Sequence, residues 1–221
     1  MAAETRAHSL ERPRSARSHE LRERKRTRTR LMIQAEAFRL FAEKGYAETT
    51  VEAIADAAAI SPRTFFRYFA TKEDVVLWDE YDPQVGELLA ARPDDEPIAV
   101  SFCAIIRETL GGLLRRDPDQ LLTRVRLLSS VPELRARFLE GQASWLSSSE
   151  AHDAEMIAAF AHRSYVPDVR QLRATVGALG AAVTIAIDEW QRDGGKSNLL
   201  SLFDQTVDAL AAGIGELRST Q

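Results

Sequence analysis

Residues 49–73 read Thr49-Thr50-Val51-Glu52-Ala53-Ile54-Ala55-Asp56-Ala57-Ala58-Ala59-Ile60-Ser61-Pro62-Arg63-Thr64-Phe65-Phe66-Arg67-Tyr68-Phe69-Ala70-Thr71-Lys72-Glu73, and this stretch decides the fold. Thr49 with Glu52 three places on has the spacing of a capping box, in which two side chains satisfy orphan N–H groups reciprocally. A helix is therefore expected from Thr50. Val51, Ile54, Ala55 and Ala58 then fall at i, i+3, i+4 and i+7, one apolar stripe of helical period. Ser61 is a good N-cap, and Pro62 suits the first helical position, where its missing N–H costs nothing. The helix that opens there is short, with Pro62, Arg63, Thr64, Arg67 and Tyr68 expected outward and Phe65 and Phe69 inward. Thr71 with Asp74 marks another capped start and puts Lys72 in the first turn of the next helix. Two short helices, a tight turn and a third helix start make a helix-turn-helix.

Upstream lies "AFRLFAEKGY" (residues 37–46). Together with "TTVEAIADAAAISPRTFFRYFATKED" (residues 49–74), it resembles the DNA-binding domain of TetR-family transcriptional regulators, over residues 27–80, and "RVRLLSSVPELRARF" (residues 124–138) is similar to the same region of actinobacterial members. The resemblance implies a first helix with an apolar Leu31, Ala35, Phe38 and Phe41 pattern, ended by Gly45-Tyr46. It further implies that Arg63, Thr64 and Arg67 read base edges or adjacent phosphates in the major groove of a double-stranded DNA operator. Thr50, Ser61, Tyr68 and Lys72 then fix the register on phosphates, with Pro62 and Phe66 at the same interface. Two positions depart from the family pattern. Ala59 stands where a turn glycine is usual, and Phe66 where a tyrosine hydroxyl usually reaches a phosphate; Phe66 can pack but cannot donate.

Charge is divided unevenly along the chain. Residues 1–72 carry fifteen basic and nine acidic side chains, against fourteen and twenty-four in residues 73–221. The densest run is Arg22, Arg24, Lys25, Arg26, Arg28 and Arg30, beside the motif. Such a run can neutralise phosphates and release counterions, or reach a minor groove, and Arg26 and Arg28 in it are taken as DNA-binding candidates. Residues 1–23 are expected to be a disordered basic arm, 24–76 the helix-turn-helix domain, and 77–221 a helical ligand-binding and dimerisation domain.

The expected class is all-α. Helices are expected over 84–92, 96–116, 118–130, 132–147, 149–163, 167–193 and 198–218, separated by prolines and by Gly194-Gly195. The helix over 167–193 is apolar all round, so it must be covered on more than one side. Val176, Leu179, Val183 and Ile187 on it, with Phe203, Leu210 and Ile214 on the last helix, are expected to form a homodimer through a four-helix contact, as the resemblance also implies. The competing reading makes these two helices the central core of a monomer. A two-fold dimer would set two reading helices on one face of a roughly palindromic operator.

Between those ends, Phe102, Cys103, Ile106, Leu110, Leu128, Trp145 and Phe160 are candidates to line an apolar pocket for a small hydrophobic effector. Arg107, Arg124 and Arg126 are candidates for an anionic head. No cofactor or metal is expected: the four histidines lack metal spacing, and Cys103 has no CxxC partner. No nucleophile–base pair marks the chain as an enzyme. The longest nearly uncharged run, 174–187, is too short for a membrane span, and the first thirty residues lack the apolar core of a secretory signal. A single cysteine excludes an internal disulfide and fits a reducing cytoplasm. The function expected is a ligand-responsive, dimeric DNA-binding repressor. The alternative is an all-helical dimeric interaction protein whose helix-turn-helix is vestigial.

Overall fold

The computed structural model describes residues 14–78, 85–146, 157, 158, 160, 163 and 166–219. Among them run ten α-helices: α1 (Arg14–Lys44), α2 (Val51–Ala57), α3 (Pro62–Tyr68), α4 (Lys72–Leu77), α5 (Val85–Ala90), α6 (Ile98–Arg116), α7 (Pro118–Ser130), α8 (Pro132–Leu146), α9 (Val169–Arg192) and α10 (Leu199–Ser219). The all-α class is thereby established. Among the described residues, no helix is long and apolar enough to cross a membrane.

Helix α1 is longer than the basic-arm reading allows. It begins at Arg14, so residues 14–23, expected as disordered arm, are its first turns. Arginine, glutamate and leucine all favour the helix, and nothing between Arg14 and Lys44 breaks it. The rest of that arm lies outside the described residues. Gly45 ends α1 at φ +85°, a conformation costly for any residue with a Cβ, and its N–H closes on Phe41 O at 3.0 Å. The inward stripe of α1 is Ile33, Gln34, Ala37, Phe38, Leu40 and Phe41, whereas Ala35 is exposed. The expected stripe through Ala35 was therefore turned: the larger Ile33 and Leu40 take the inside, and alanine loses little by staying out.

The start of α2 also differs in detail. Its N-cap is Thr50, whose hydroxyl accepts from Ala53 N at 3.1 Å. Thr49 is fully buried and donates to Gly45 O at 2.8 Å instead, so the expected Thr49–Glu52 box is not formed. Adjacent threonines differ by one step of the helix entry, and sequence spacing cannot tell which one turns inward. At α3 and α4 the caps are those expected: Ser61 accepts from Thr64 N at 3.1 Å, and Thr71 with Asp74 forms a reciprocal box. Between α2 and α3, Ala59 adopts φ +53°, the left-handed turn that the family usually gives to glycine.

Three apolar clusters hold the chain. The first gathers Ile33, Phe38, Phe41, Ile54, Phe65, Phe69, Val75 and Val76 from α1–α4, together with Leu134 from α8. The second joins α6, α7, α9 and α10 through Leu110, Leu121, Leu122, Val125, Leu179, Trp190 and Phe203. The third is smaller, with Leu89, Ile98, Ile105, Phe160 and Leu172. Helices α9 and α10 form an antiparallel pair. Their turn uses Gly194 and Gly195 at φ +75° and +81°, while the Asp193 carboxylate accepts from Lys196 N and Ser197 N.

The expected boundary after residue 76 is not a boundary of packing. Leu134 lies wholly inside the first cluster, with Leu127, Leu128 and Val131 against it. Polar groups seal the same junction. A helix leaves its last carbonyls without partners inside it; here Gln34 Nε2 donates to Val75 O (2.9 Å) and Trp78 O (3.0 Å), and Arg124 donates to Leu77 O (2.9 Å). Helix α4 is thus clasped at its end by α1 from one domain and α7 from the other.

Candidate nucleic-acid interface

The outward surface of α3 follows from its two buried anchors. Phe65 and Phe69 are 0% and 3% exposed, and steps of about 100° per residue place Arg63, Thr64 and Arg67 opposite them. Arg63 and Arg67 are exposed, and Thr64 is half-buried. Phe66, 53% exposed, and Tyr68 flank this face on opposite sides. The Ser61 and Thr64 hydroxyls lie 2.9 Å apart and share a hydrogen bond, so Ser61 both caps the helix and orients Thr64. Thr50 is exposed at the start of α2.

At the far end of α3, charge gathers around Tyr68. Hydrogen bonds with Thr29, then Arg67, hold its phenol below the ordinary value, and the nearby charges of Arg67 and Arg26 act the same way. The Arg67 guanidinium stands 5.1 Å over the Tyr68 ring. One turn of α1 and the end of α3 therefore make a joint cationic corner. Arg26 and Arg28 are both exposed on α1. Arg30 is not available in the same way: its guanidinium sits 5.7 Å from the Phe69 ring and 5.5 Å from the Trp78 ring, and burial lowers its pKa. Nothing local in the sequence pairs Arg30 with residues some forty positions away.

Lys72 is more committed than a phosphate-seeking lysine would be. Its ammonium donates to Tyr46 O (2.8 Å) and Thr49 O (3.0 Å) and lies 4.1 Å over the Tyr46 ring. An ammonium has three N–H donors, and these bonds use two. The Tyr46 hydroxyl in turn donates to Glu73 at 2.8 Å, and burial first, then this bond, pushes the phenol pKa well up. The connection between α1 and α2 is thereby locked to the first turn of α4.

The expected effector-lining residues do not all converge. Cys103, Ile106 and Leu110 pack on the second cluster, Phe160 lies in the third, and Phe102 touches both, 6.3 Å from Phe160 between ring centroids. Leu128 is not with them: it packs on the first cluster, because α7 turns that edge toward the helix-turn-helix core. The Trp145 side chain lies outside the described residues. A recess of about 360 Å³ beside Cys103 is bounded by Arg107, Phe203, Asp204, Val207 and Asp208. A larger one, about 790 Å³, lies at the start of α9, bounded by Asp168, Val169, Arg170, Arg173 and Ala174, none of them an expected lining residue. Arg107 pairs with Asp204, and Arg124 serves Leu77 O, so both have structural partners.

Sequence reading missed one buried polar network. Arg163, 7% exposed, donates to Ser101 Oγ (3.0 Å), Pro93 O (3.1 Å) and Glu96 O (3.2 Å). Ser101 donates to Glu96 at 2.7 Å, and Arg92 Nε donates to the same carboxylate at 2.8 Å. Hydrogen bonds from Arg92 first and Ser101 second hold Glu96 down at about 2.

The residues expected at the dimer face divide into two sets. Leu179 and Phe203 are 5% and 1% exposed inside the chain's own second cluster, and Val176, Val183 and Ile187 are half-buried against it or the third. Leu210 and Ile214 are exposed, at 36% and 46%. On α9 the open apolar side is Ala174, Ala181 and Ile185. A helix apolar all round offers two stripes, and the bulkier one was taken by α6, α7 and α10.

A short capped helix held out from a closed core is how helix-turn-helix proteins lay side chains in a major groove, and this defines the class: a DNA-binding regulator. Residues 33–77 match the sequence model of bacterial regulatory proteins, tetR family, and residues 96–215 that of the MftR C-terminal domain. The chain belongs to the TetR family. It is 33% identical over 199 residues to the HTH-type transcriptional regulator TcmR of Streptomyces glaucescens, covering 86% of each chain. It is 30% identical to MftR of Mycobacterium tuberculosis, named for mycofactocin biosynthesis, covering 88% of this chain and 95% of that one. Among solved structures, the transcriptional regulator FadR of Bacillus subtilis in complex with stearoyl-CoA is similar in fold (TM-score 0.50, 23% identity), with 83% of this chain and 98% of that one covered.

Proposed function

We propose that two copies of this chain bind a roughly palindromic operator as a homodimeric repressor, and that a small lipophilic effector releases it. The observation that carries the reading is the outward face of α3, where Arg63 and Arg67 stand clear of the core, with half-buried Thr64 beside them, between Phe66 and Tyr68. Arg63 and Arg67 suit guanine edges or flanking phosphates. Thr50, Ser61, Tyr68, Arg26 and Arg28, with the remaining N–H of Lys72, border that face and suit phosphates.

Dimerisation is supported by the last turns of α10, where Ala209, Leu210, Ala211, Ala212, Gly213 and Ile214 are all exposed. With Ala174, Ala181 and Ile185 of α9 they form a small-residue apolar surface that a second copy would cover. The effector would bind along α6, at Phe102, Cys103, Ile106 and Leu110, with Phe160 against Phe102. Binding there would act on α7 and α8, which clasp α4 through Arg124, through Leu134 and through Arg137, a donor to the Asp74 carboxylate at 2.7 Å. It shifts DNA affinity only to the extent that the effector prefers one arrangement.

The test is a gel-shift titration of wild type, Arg63→Ala and Arg67→Ala on palindromic duplexes selected from a random library, repeated over a salt series. The wild type should bind with a steep salt dependence, and each variant should bind more weakly. Equal affinity of both variants and wild type for the selected duplex would remove α3 from the interface.

A further inference from the structure

We propose that Phe66 reads thymine, by apolar contact between its ring and the C5-methyl group in the major groove; the proposal rests on the DNA-binding function above. Among the described residues, Phe66 is the one aromatic ring in the set of exposed large hydrophobic side chains, at 53% exposure. Lone exposed apolar residues are ordinary, but this one occupies the reading helix. A step of about 100° per residue sets it about 60° around α3 from Arg63 and about 100° from Arg67. Its neighbours on the free face are thus the two guanidinium groups expected to enter the groove.

The ring is also held in place. Phe65, fully buried, meets it edge-on, with ring centroids 5.6 Å apart and planes at 87°. An anchored ring loses little freedom on docking, and aromatic pairs of this geometry are favourable. Phenylalanine has no donor or acceptor, so it can serve neither a phosphate oxygen nor a polar base edge. The major groove offers an apolar side chain one distinctive base feature, the thymine methyl. The guanidinium groups beside it favour guanine, so the expected element is a thymine within a step or two of a guanine in each half-site.

The experiment uses the full-length protein and the palindromic duplex selected from a random library. Each thymine is replaced in turn, in both half-sites, by deoxyuridine, which lacks only the methyl. At the contacted position, wild type should lose about fourfold in affinity per half-site, the factor set by burial of one methyl group. Phe66→Tyr keeps the ring and should keep this preference, whereas Phe66→Ala should bind both duplexes equally. Because Phe66 is half exposed, Phe66→Ala should also stay folded, its melting temperature lowered only by the few degrees that loss of the edge-on contact with Phe65 costs. Three results would overturn the proposal: wild type indifferent to every replacement, Phe66→Ala still preferring thymine, or a selected operator without thymine. A library that yields no bound sequence at all would overturn the DNA-binding function with it.

Discussion

Arg137 of α8 donates to the Asp74 carboxylate of α4 at 2.7 Å, and to Thr71 Oγ1 at 3.0 Å, so the larger domain grips the cap of the helix that follows the reading unit. One oxygen of Asp74 accepts Arg137 while the other accepts Thr71 N at 2.9 Å. The capping box and the domain contact therefore share one carboxylate. Leu134, one turn earlier on α8, enters the core beneath it.

These two contacts should separate sharply on mutation. Arg137→Ala removes an ion pair that is substantially exposed, which costs at most about 1 kcal/mol. Leu134→Ala removes a fully buried side chain, which costs about 2–5 kcal/mol. Urea unfolding should show this order. Hydrogen exchange should show faster opening at the first turn of α4 in Arg137→Ala, even with global stability nearly unchanged; equal destabilisation by both variants would refute the ranking.

Ala59→Gly should stabilise the protein. Ala59 is exposed and held at φ +53°, where a Cβ costs about 1–2 kcal/mol. The greater freedom of glycine in the unfolded chain offsets about half of that. A net gain of about 0.5–1 kcal/mol is expected, read as a raised denaturation midpoint. A lower midpoint would mean that the alanine methyl makes a contact worth more than the turn.

Glu96 should make stability depend on acid. Its carboxyl falls from an ordinary 4.5 to about 2 in the folded chain, chiefly through hydrogen bonds from Arg92 and then Ser101. A depressed carboxyl contributes stability that is complete above the unfolded value and lost as pH falls through the folded one. The advantage of wild type over Glu96→Gln should therefore be constant above about pH 5 and shrink steadily toward pH 2. Melting temperatures of the two proteins across that range provide the check, and a gap that stays constant would show that the ionised form contributes nothing.

Much of the candidate site was legible because its signals are local. Ser61, Pro62, Thr71 and Asp74 act within four residues of themselves, and caps of this kind are decided by neighbours in the chain. The spans of α7, α8 and the α9–α10 pair were close to expectation for the same reason, since proline and paired glycines interrupt helices wherever they stand. Thr49 and Ala35 turn otherwise than expected because each lies on a helix, or at a helix start, with two plausible orientations, and Leu179, expected at the dimer face, packs inside the chain's own core.

From the sequence alone came the helical class and the short capped helix with Arg63, Thr64 and Arg67 expected outward, set by steric rules acting over a turn or two; the family resemblance added the departures at Ala59 and Phe66. Only the tertiary structure decided that Leu134 completes the core of the reading unit, that Arg30 lies against Phe69 and Trp78, and that Lys72 braces the carbonyls of Tyr46 and Thr49. Those contacts join residues far apart in the chain. They depend on which apolar stripe each helix turns inward, and several stripes of similar hydrophobicity compete until all the helices are packed together.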